Sequence, residues 1–496
     1  MYLLGVDLGS SSVKVSVLDA KTGALIGSAQ EPAIEMGMIA KQPGWAEQKP
    51  SDWYSNFAKG LAKLSATGVD LKQIDAMGIS YQMHGLVVVD DAQKVLRPAI
   101  IWCDSRAVEI GNAAFEALGH ELCLGSYLNS PGNFTASKLK WVRENEPEIY
   151  AKIKYAMLPG DWLAMELSGV ATTTFSGLSE GILYDFVGNK LASKLLNHYG
   201  IEESLFPTVV PTFGEQVTLN ATKAAELGLQ AGVKICYRAG DQPNNAFSLN
   251  VLEPGEVCAN AGTSGVIYGV NDKYNYDLQS RVNTFAHVNH TAAVPRLGIL
   301  ACVNGTGILN SWLKKTFSAA GTEMGYAGMN EMASKVKPGS EGLQLYPFGN
   351  GAERILGNKE IGASMQGIDF HNHGAGHLAR AAQEGIVFAL FAGIEIMQGC
   401  GMQIGNVKAG MANMFLSPVF REVFCAVGNC SLTMLESDGS QGAARGAGVG
   451  LGLFSVAEGA QLGLKKLAEM EPTTEMVERY AELYAQWTAG LAKQLA

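Results

Sequence analysis

Two short turns in this chain are built almost entirely of glycine and hydroxyl residues, and each could cradle a phosphate. The first is Asp7-Leu8-Gly9-Ser10-Ser11-Ser12. Such a turn offers several backbone N–H groups and hydroxyls, with no bulky side chain to block an anion. Asp7, closing an apolar stretch, could hold Mg2+ directly or through water, and Lys14 could add positive charge beside the same phosphate. Taken alone, the segment reads equally well as an ordinary hairpin turn. The second turn, Gly262-Thr263-Ser264-Gly265, lies about 250 residues later and has the same chemistry. Two such turns, one per half, could grip a triphosphate from both sides of a cleft. The GxxxxGK[ST] phosphate loop is absent, which excludes that nucleotide-binding solution. A glycine-rich run over 442–452 contains a GxGxG-like stretch. It follows no convincing strand, so close helix packing is the better reading.

These turns need strands to carry them. Leu3 to Leu8 is apolar, and Val13, Val15 and Val17 alternate with Lys14 and Ser16, the period-two pattern of a half-buried strand. Lys21-Thr22-Gly23 turns the chain and Leu25 to Gly27 returns it, which predicts a three-strand meander. Ile74 to Ser80 and Leu86 to Val89 read as strands, and Ser51 to Leu64 and Lys138 to Asn145 as helices. The pattern begins again near Asp241, where Glu256 to Ala261 leads into the second turn and Val266 to Val270 leaves it. Later, Leu378 to Gln398 is apolar on most faces, a buried helix. A final helix from Glu475 to Leu495 follows Pro472 and a Thr473-Thr474 cap, with Met476, Tyr480, Leu483 and Trp487 on one face.

A chain of 496 residues is too long for one core, so two domains are expected. Hydrophobic residues make up 47% and charged residues 17%, which fits a globular protein and argues against disorder. The 37 basic and 47 acidic side chains leave a net charge of −10. Without a basic block, nucleic acid and membrane surfaces are poor partners. The eight cysteines show no CxxC spacing, as expected for reduced thiols in a cytoplasmic protein. The N-terminus shows no signal-peptide pattern, and the most apolar stretch, Gly385 to Met397, contains Glu395 and is too short to span a bilayer.

In order along the chain come Asp7-Leu8-Gly9-Ser10-Ser11, Gln82-Met83-His84-Gly85, Trp102-Cys103-Asp104-Ser105-Arg106, Gly240-Asp241 and Gly262-Thr263-Ser264-Gly265. Trp45-Ala46-Glu47-Gln48, the run from Phe134 to Trp141, and Leu158-Pro159-Gly160-Asp161-Trp162 fill the gaps. This series resembles the FGGY carbohydrate kinases, and among them the xylulose kinases, from about residue 3 to about residue 450. The resemblance implies an α/β fold of two ribonuclease-H-like domains around a central cleft, as in actin and hexokinase. A sugar-binding domain over 1–245 and a nucleotide-binding domain over 246–496 follow, and the last helix could pack back on the first domain.

The same resemblance assigns roles. Asp241 matches the family's general base and Asp7 the group that holds Mg2+. Gln82, Met83 and His84 correspond to the sugar-reading segment, with Trp102 covering an apolar sugar face and Asp104 and Gln242 nearby. Asp104 and Arg106 could equally form a structural ion pair. Ser10, Ser11, Ser12, Lys14, Gly262, Thr263 and Ser264 would meet the ATP phosphates, and Gly307, Gly410 and Asn413 the ribose and adenine. Two positions depart from the xylulose-kinase pattern. Ala409-Gly410-Met411-Ala412-Asn413 stands where a glycine run and Ala-Arg are usual, and Gln242 follows Asp241 where Asn is common. His371, His373 and His377 invite a metal reading, but their spacing suits a glycine-rich loop before a helix better than a zinc site.

The expected reaction is thus ATP-dependent phosphorylation of a ketopentose, D-xylulose first. Ribulose, fuculose or glycerol would be alternative acceptors. A rival from another class is an actin- or chaperone-type ATPase switch, which would leave Gln82–Gly85 and Trp102 without a task. A homodimer is common among the look-alikes.

Overall fold

The computed structural model describes residues 1–318 and 324–496. Its first half is organised by a six-stranded sheet. In chain order the strands are β1 (Tyr2–Leu8), β2 (Val13–Asp19), β3 (Leu25–Glu31), β4 (Ile74–Tyr81), β5 (Phe213–Thr218) and β6 (Lys234–Gly240). Their spatial order is β5-β6-β4-β1-β2-β3. β1 to β3 form the expected antiparallel meander, while β4 and β6 run parallel to β1.

The second half has a seven-stranded sheet made of β7 (Val257–Ala261), β8 (Gly265–Asn271), β9 (Asn283–Ala286), β10 (Leu297–Val303), β11 (Asn406–Gly410), β12 (Ser431–Glu436) and β13 (Lys465–Met470). Its order is β9-β10-β8-β7-β11-β12-β13. Again a central strand, β7, has an antiparallel hairpin partner on one side and two parallel strands on the other. The hairpin echo in the sequence is therefore an echo of whole sheets.

Helices cover both sheets. α1 (Pro50–Ala66), α2 (Thr135–Asn145), α3 (Pro159–Ser168), α4 (Phe175–Glu180) and α5 (Asp241–Ser248) belong to the first half and its crossing. α6 (Gly307–Ser318), α7 (Ala375–Gly399), α8 (Pro418–Gly428), α9 (Gly439–Gly450) and α10 (Thr474–Leu495) follow. α7, apolar almost all round, is the buried spine of the second core.

The terminal helix corrects one expectation. α10 lies on the second half: Trp487 Nε1 donates to the Leu345 carbonyl at 2.9 Å, and Tyr480 bonds Glu384 and Arg380 of α7. The burial of its Tyr480–Leu483–Trp487 face in that core is what fixes it there. The element that reaches back to the first sheet is α9, the glycine-rich run. It packs across β1, β4 and β6. Helix and sheet come so close that a Cβ at Gly78 would lie 2.0 Å from the Ala443 carbonyl oxygen. The glycines serve close packing, as read, and only residues without Cβ permit that approach.

Candidate active site

The parallel strands decide where chemistry can occur. Leu8, Tyr81 and Gly240 share one row across β1, β4 and β6. The three segments that leave those strands, Gly9–Ser12, Gln82–Gly85 and Asp241 onward, emerge at one sheet edge. The Gln82 N–H donates to the Leu8 carbonyl at 2.8 Å, which joins the first two. A crevice outside the carboxyl ends of parallel strands is the usual ligand site of such sheets.

Two carboxylates face each other electrostatically at that edge. Asp241 opens α5 directly after Gly240, and its pKa is pushed up to about 7, by burial first and by the charge of Asp7 second. Gln242 offsets part of this by hydrogen bonding to it. Asp7 is also raised by burial and by Asp438, with Lys14 and a 3.1 Å bond from Ser80 Oγ pulling the other way. Gly439, the first residue of α9, lies against it, since a Cβ there would sit 2.5 Å from Asp7 Oδ2. An alcohol proton taken up by a carboxylate with a pKa near neutrality is favourable general-base chemistry.

The Gln82–Gly85 segment is tightly specified. His84 adopts a left-handed backbone, φ 60°, uncommon for a residue with a Cβ. Its ring lies against Phe134 and Phe285, and its Nδ1 lies 2.8 Å from the Glu180 carbonyl. A carbonyl only accepts, so Nδ1 carries the hydrogen and Nε2 is left as an acceptor. Burial, helped by Lys138, lowers the His84 pKa to about 3, so the ring is neutral. Trp102 is 42% exposed, with its indole N–H donating to Ser10 Oγ at 3.2 Å, and so presents an open ring face beside the first hairpin. Gln82 is buried with Oε1 unpaired, and Met83 packs on Gly240.

Asp104 is a correction. It is fully buried, its Oδ2 accepts from the Ala46 N–H at 2.6 Å, and both oxygens bond Arg106. Arg106 in turn stacks on Trp45 at 3.8 Å and pairs with Glu47. An arginine two residues away satisfies the carboxylate locally, so Asp104 forms the structural ion pair that braces the Trp102 loop.

On the other side, the Gly262–Ser264 hairpin meets the start of α6. The Gly307 N–H donates to the Gly262 carbonyl at 2.9 Å, and the Ile308 N–H to Thr263 at 3.1 Å. Beside them opens a cavity of about 560 Å3 whose walls include Gly262, Thr263, Gly307, Asn310, Lys315 and Asn413. Asn413 is also left-handed, φ 53°. Gly410, expected at the same wall, is not part of it; it ends β11, where pairing with Leu435 holds it back. Glu35, from the first half, does line the cavity. Its neighbour Met36 donates its N–H to the Ser11 carbonyl at 2.8 Å, so one loop touches both hairpin regions.

Among the described residues no group of three or more His, Cys, Asp and Glu side chains could hold a metal ion. His373 and His377 instead accept backbone N–H groups of Asp369 and Gly374 at the start of α7. No helix of the described residues is long and apolar enough to cross a membrane. All eight cysteines are unpaired.

Glu180 joins the site without any signal in the sequence. It is 1% exposed with neither carboxyl oxygen hydrogen-bonded, and a Cβ on Gly240 would sit 2.4 Å from its Oε2. Burial first, and the nearby Asp241, hold it well above the usual carboxylate range. A lone Glu between Leu178 and Ile182 carries no local signal of this placement.

Comparison with known proteins agrees with this geometry. The model of the N-terminal domain of the FGGY family of carbohydrate kinases matches residues 2–248. The xylulose kinase of Bacillus subtilis is 28% identical over 490 residues, covering 97% of this chain and 95% of that protein. A ligand-bound xylulose kinase from Lactobacillus acidophilus shares the fold at a TM-score of 0.89 and 20% identity, covering 100% of this chain and 98% of that one. A gluconate kinase from the same organism matches almost as well, at a TM-score of 0.88 and 20% identity, with the same coverage of 100% and 98%. The fold therefore does not choose the acceptor. Site, sheet topology and relatives together identify a sugar-phosphorylating enzyme: the chain belongs to the FGGY family of carbohydrate kinases.

Proposed function

We propose that the protein transfers the γ-phosphoryl group of ATP to D-xylulose, giving ADP and D-xylulose 5-phosphate. The observation that carries the reading is the pair Asp7 and Asp241 at one sheet edge, where the charge of Asp7 helps raise the Asp241 pKa and the exposed Trp102 ring bonds the neighbouring hairpin at Ser10. The full-length similarity to a xylulose kinase supports the choice of ketose.

The terminal sugar hydroxyl attacks the γ-phosphorus as its proton passes to Asp241, and ADP leaves with the bridging oxygen and its electron pair. Phosphoryl transfer demands mainly positioning and charge neutralisation. Backbone donors at Ser10–Ser12 and Gly262–Ser264 supply part of both. Asp7 fits a nucleotide-borne Mg2+, because it is a carboxylate at the cleft with no lysine or arginine bonded to it, and Mg2+ needs only one or two such ligands besides phosphate and water. When bound, the ion would neutralise charge developing between the β- and γ-phosphates. His84 Nε2 accepts a sugar hydroxyl, and Trp102 covers an apolar sugar face. The sugar domain spans 1–245 and the nucleotide domain 246–496, and closure between them excludes water from the transfer. Reduced thiols and use of ATP suit a cytoplasmic setting.

The test is ADP release with Mg2+-ATP across D-xylulose, D-ribulose, L-fuculose, gluconate and glycerol. D-xylulose should give the highest kcat/KM. A higher value for another acceptor keeps the kinase and overturns the ketose.

A further inference from the structure

The mechanism leaves one buried charge without a task. Lys138, in the first turn of α2, is 0% exposed and, among the described residues, has no carboxylate partner within ion-pair distance. Its Nζ donates to the carbonyl of His84 at 2.9 Å and to that of Ile101 at 3.1 Å. These carbonyls belong to the two segments that meet the sugar in the reading above, one ending in His84 and the other leading into Trp102. A three-residue step earlier on the same helix, Thr135 Oγ1 donates to the Gly85 carbonyl at 3.2 Å. One helical turn therefore grips two successive carbonyls of a strained stretch. His84 holds φ 60°, and such backbone persists only when its surroundings over-determine it.

We propose that Lys138 is a positioning residue whose ammonium clasps the His84 and Trp102 segments together, fixing the shape of the sugar site and coupling it to pH. This rests on the sugar-kinase reading.

Burial lowers the Lys138 pKa to about 8. Asp104 and Cys103 of the Trp102 loop favour the ammonium and Arg106 opposes it, while neutral His84 faces it from the other segment and Arg354 approaches that ring from the second half. Burial raises the Cys103 thiol. Below about pH 8 the ammonium serves both carbonyls. Above it, the neutral amine keeps two N–H donors but loses the charge that strengthens both bonds, and the clasp loosens.

The test is steady-state kinetics from about pH 7 to about pH 9.5, a range that brackets the lysine. In the wild type, kcat/KM for the sugar should fall on an alkaline limb with an apparent pKa near 8, and Cys103→Ser should keep that limb. Lys138→Gln, neutral but still a donor, should lose the limb. Lys138→Met should raise the sugar KM at least about tenfold while the ATP KM stays within about twofold, the split expected of lost uniform binding. Thermal melts report whether each variant folds, and if neither does, the wild-type limb decides. A wild type that turns over sugar with a flat profile overturns the proposal, as does an ATP KM that rises in parallel with the sugar KM. A wild type inactive on every sugar overturns the kinase reading instead.

Discussion

Replacing Asp241 by Asn removes the proposed proton acceptor and leaves its volume, and the structure sets opposite signs for activity and stability. The folded pKa is about 7 against an ordinary 3.8, a rise of about 3 units at about 1.36 kcal/mol each. The raised value means that the native state binds this proton more tightly than the unfolded chain. Ionised Asp241 therefore costs stability progressively between about pH 4 and pH 7, and in full above that. The cost is at most about 4 kcal/mol, less where solvent reaches the half-buried carboxylate. D241N should accordingly melt several degrees above the wild type at pH 8 and no higher at pH 4. Its kcat/KM should fall by about 100- to 10,000-fold, with the ATP KM unchanged within about threefold. Wild-type kcat/KM should decline below about pH 7, and the residual activity of D241N should lack that limb. Retention of more than a tenth of wild-type activity, or an unchanged acidic limb, would refute the assignment of the base.

Three further outcomes follow from single contacts. Trp102→Ala should raise the sugar KM up to about tenfold, the scale of one aromatic packing contact, and Trp102→Phe should recover most of it in the same assay. A Cβ at Gly307 would lie 2.2 Å from the Gly262 carbonyl oxygen, so Gly307→Ala should displace the second hairpin. It should weaken ATP binding by titration and cost about 1–3 kcal/mol in urea denaturation. Arg238 and Asp161 form a fully buried pair at 3.2 Å behind the site. Arg238→Met should lose about 3–5 kcal/mol of stability by denaturant titration; a loss below about 1 kcal/mol would mean that Asp161 is neutral without its partner.

The parts of this molecule that were legible in the sequence are those encoded locally. Alternating valines in β2 and the Gly–Ser turn at its start announce a β-hairpin with a small, polar tip, and the second hairpin announces a second sheet. Asp7, Trp102, His84 and Asp241 were found through ordered motifs and lie at one edge. What stayed hidden depends on contacts between distant segments. Glu180 is significant only because β6 brings Gly240 against it. Asp104 was ambiguous because a carboxylate two residues before an arginine can face a ligand or that arginine, and the Trp45 ring that stacks on Arg106 decides it. The amphipathic face of α10 marked a buried helix without naming its partner, and α9, from beyond β12, supplies the helix against the first sheet.

The most direct test of the central claim follows the phosphoryl group itself. The protein is incubated with γ-labelled ATP, Mg2+ and D-xylulose, and the labelled products are separated and identified. Label should appear on the oxygen at carbon 5 of the sugar, in one-to-one ratio with ADP. Label recovered as inorganic phosphate, with the sugar unmodified, would contradict it and make the protein an ATPase.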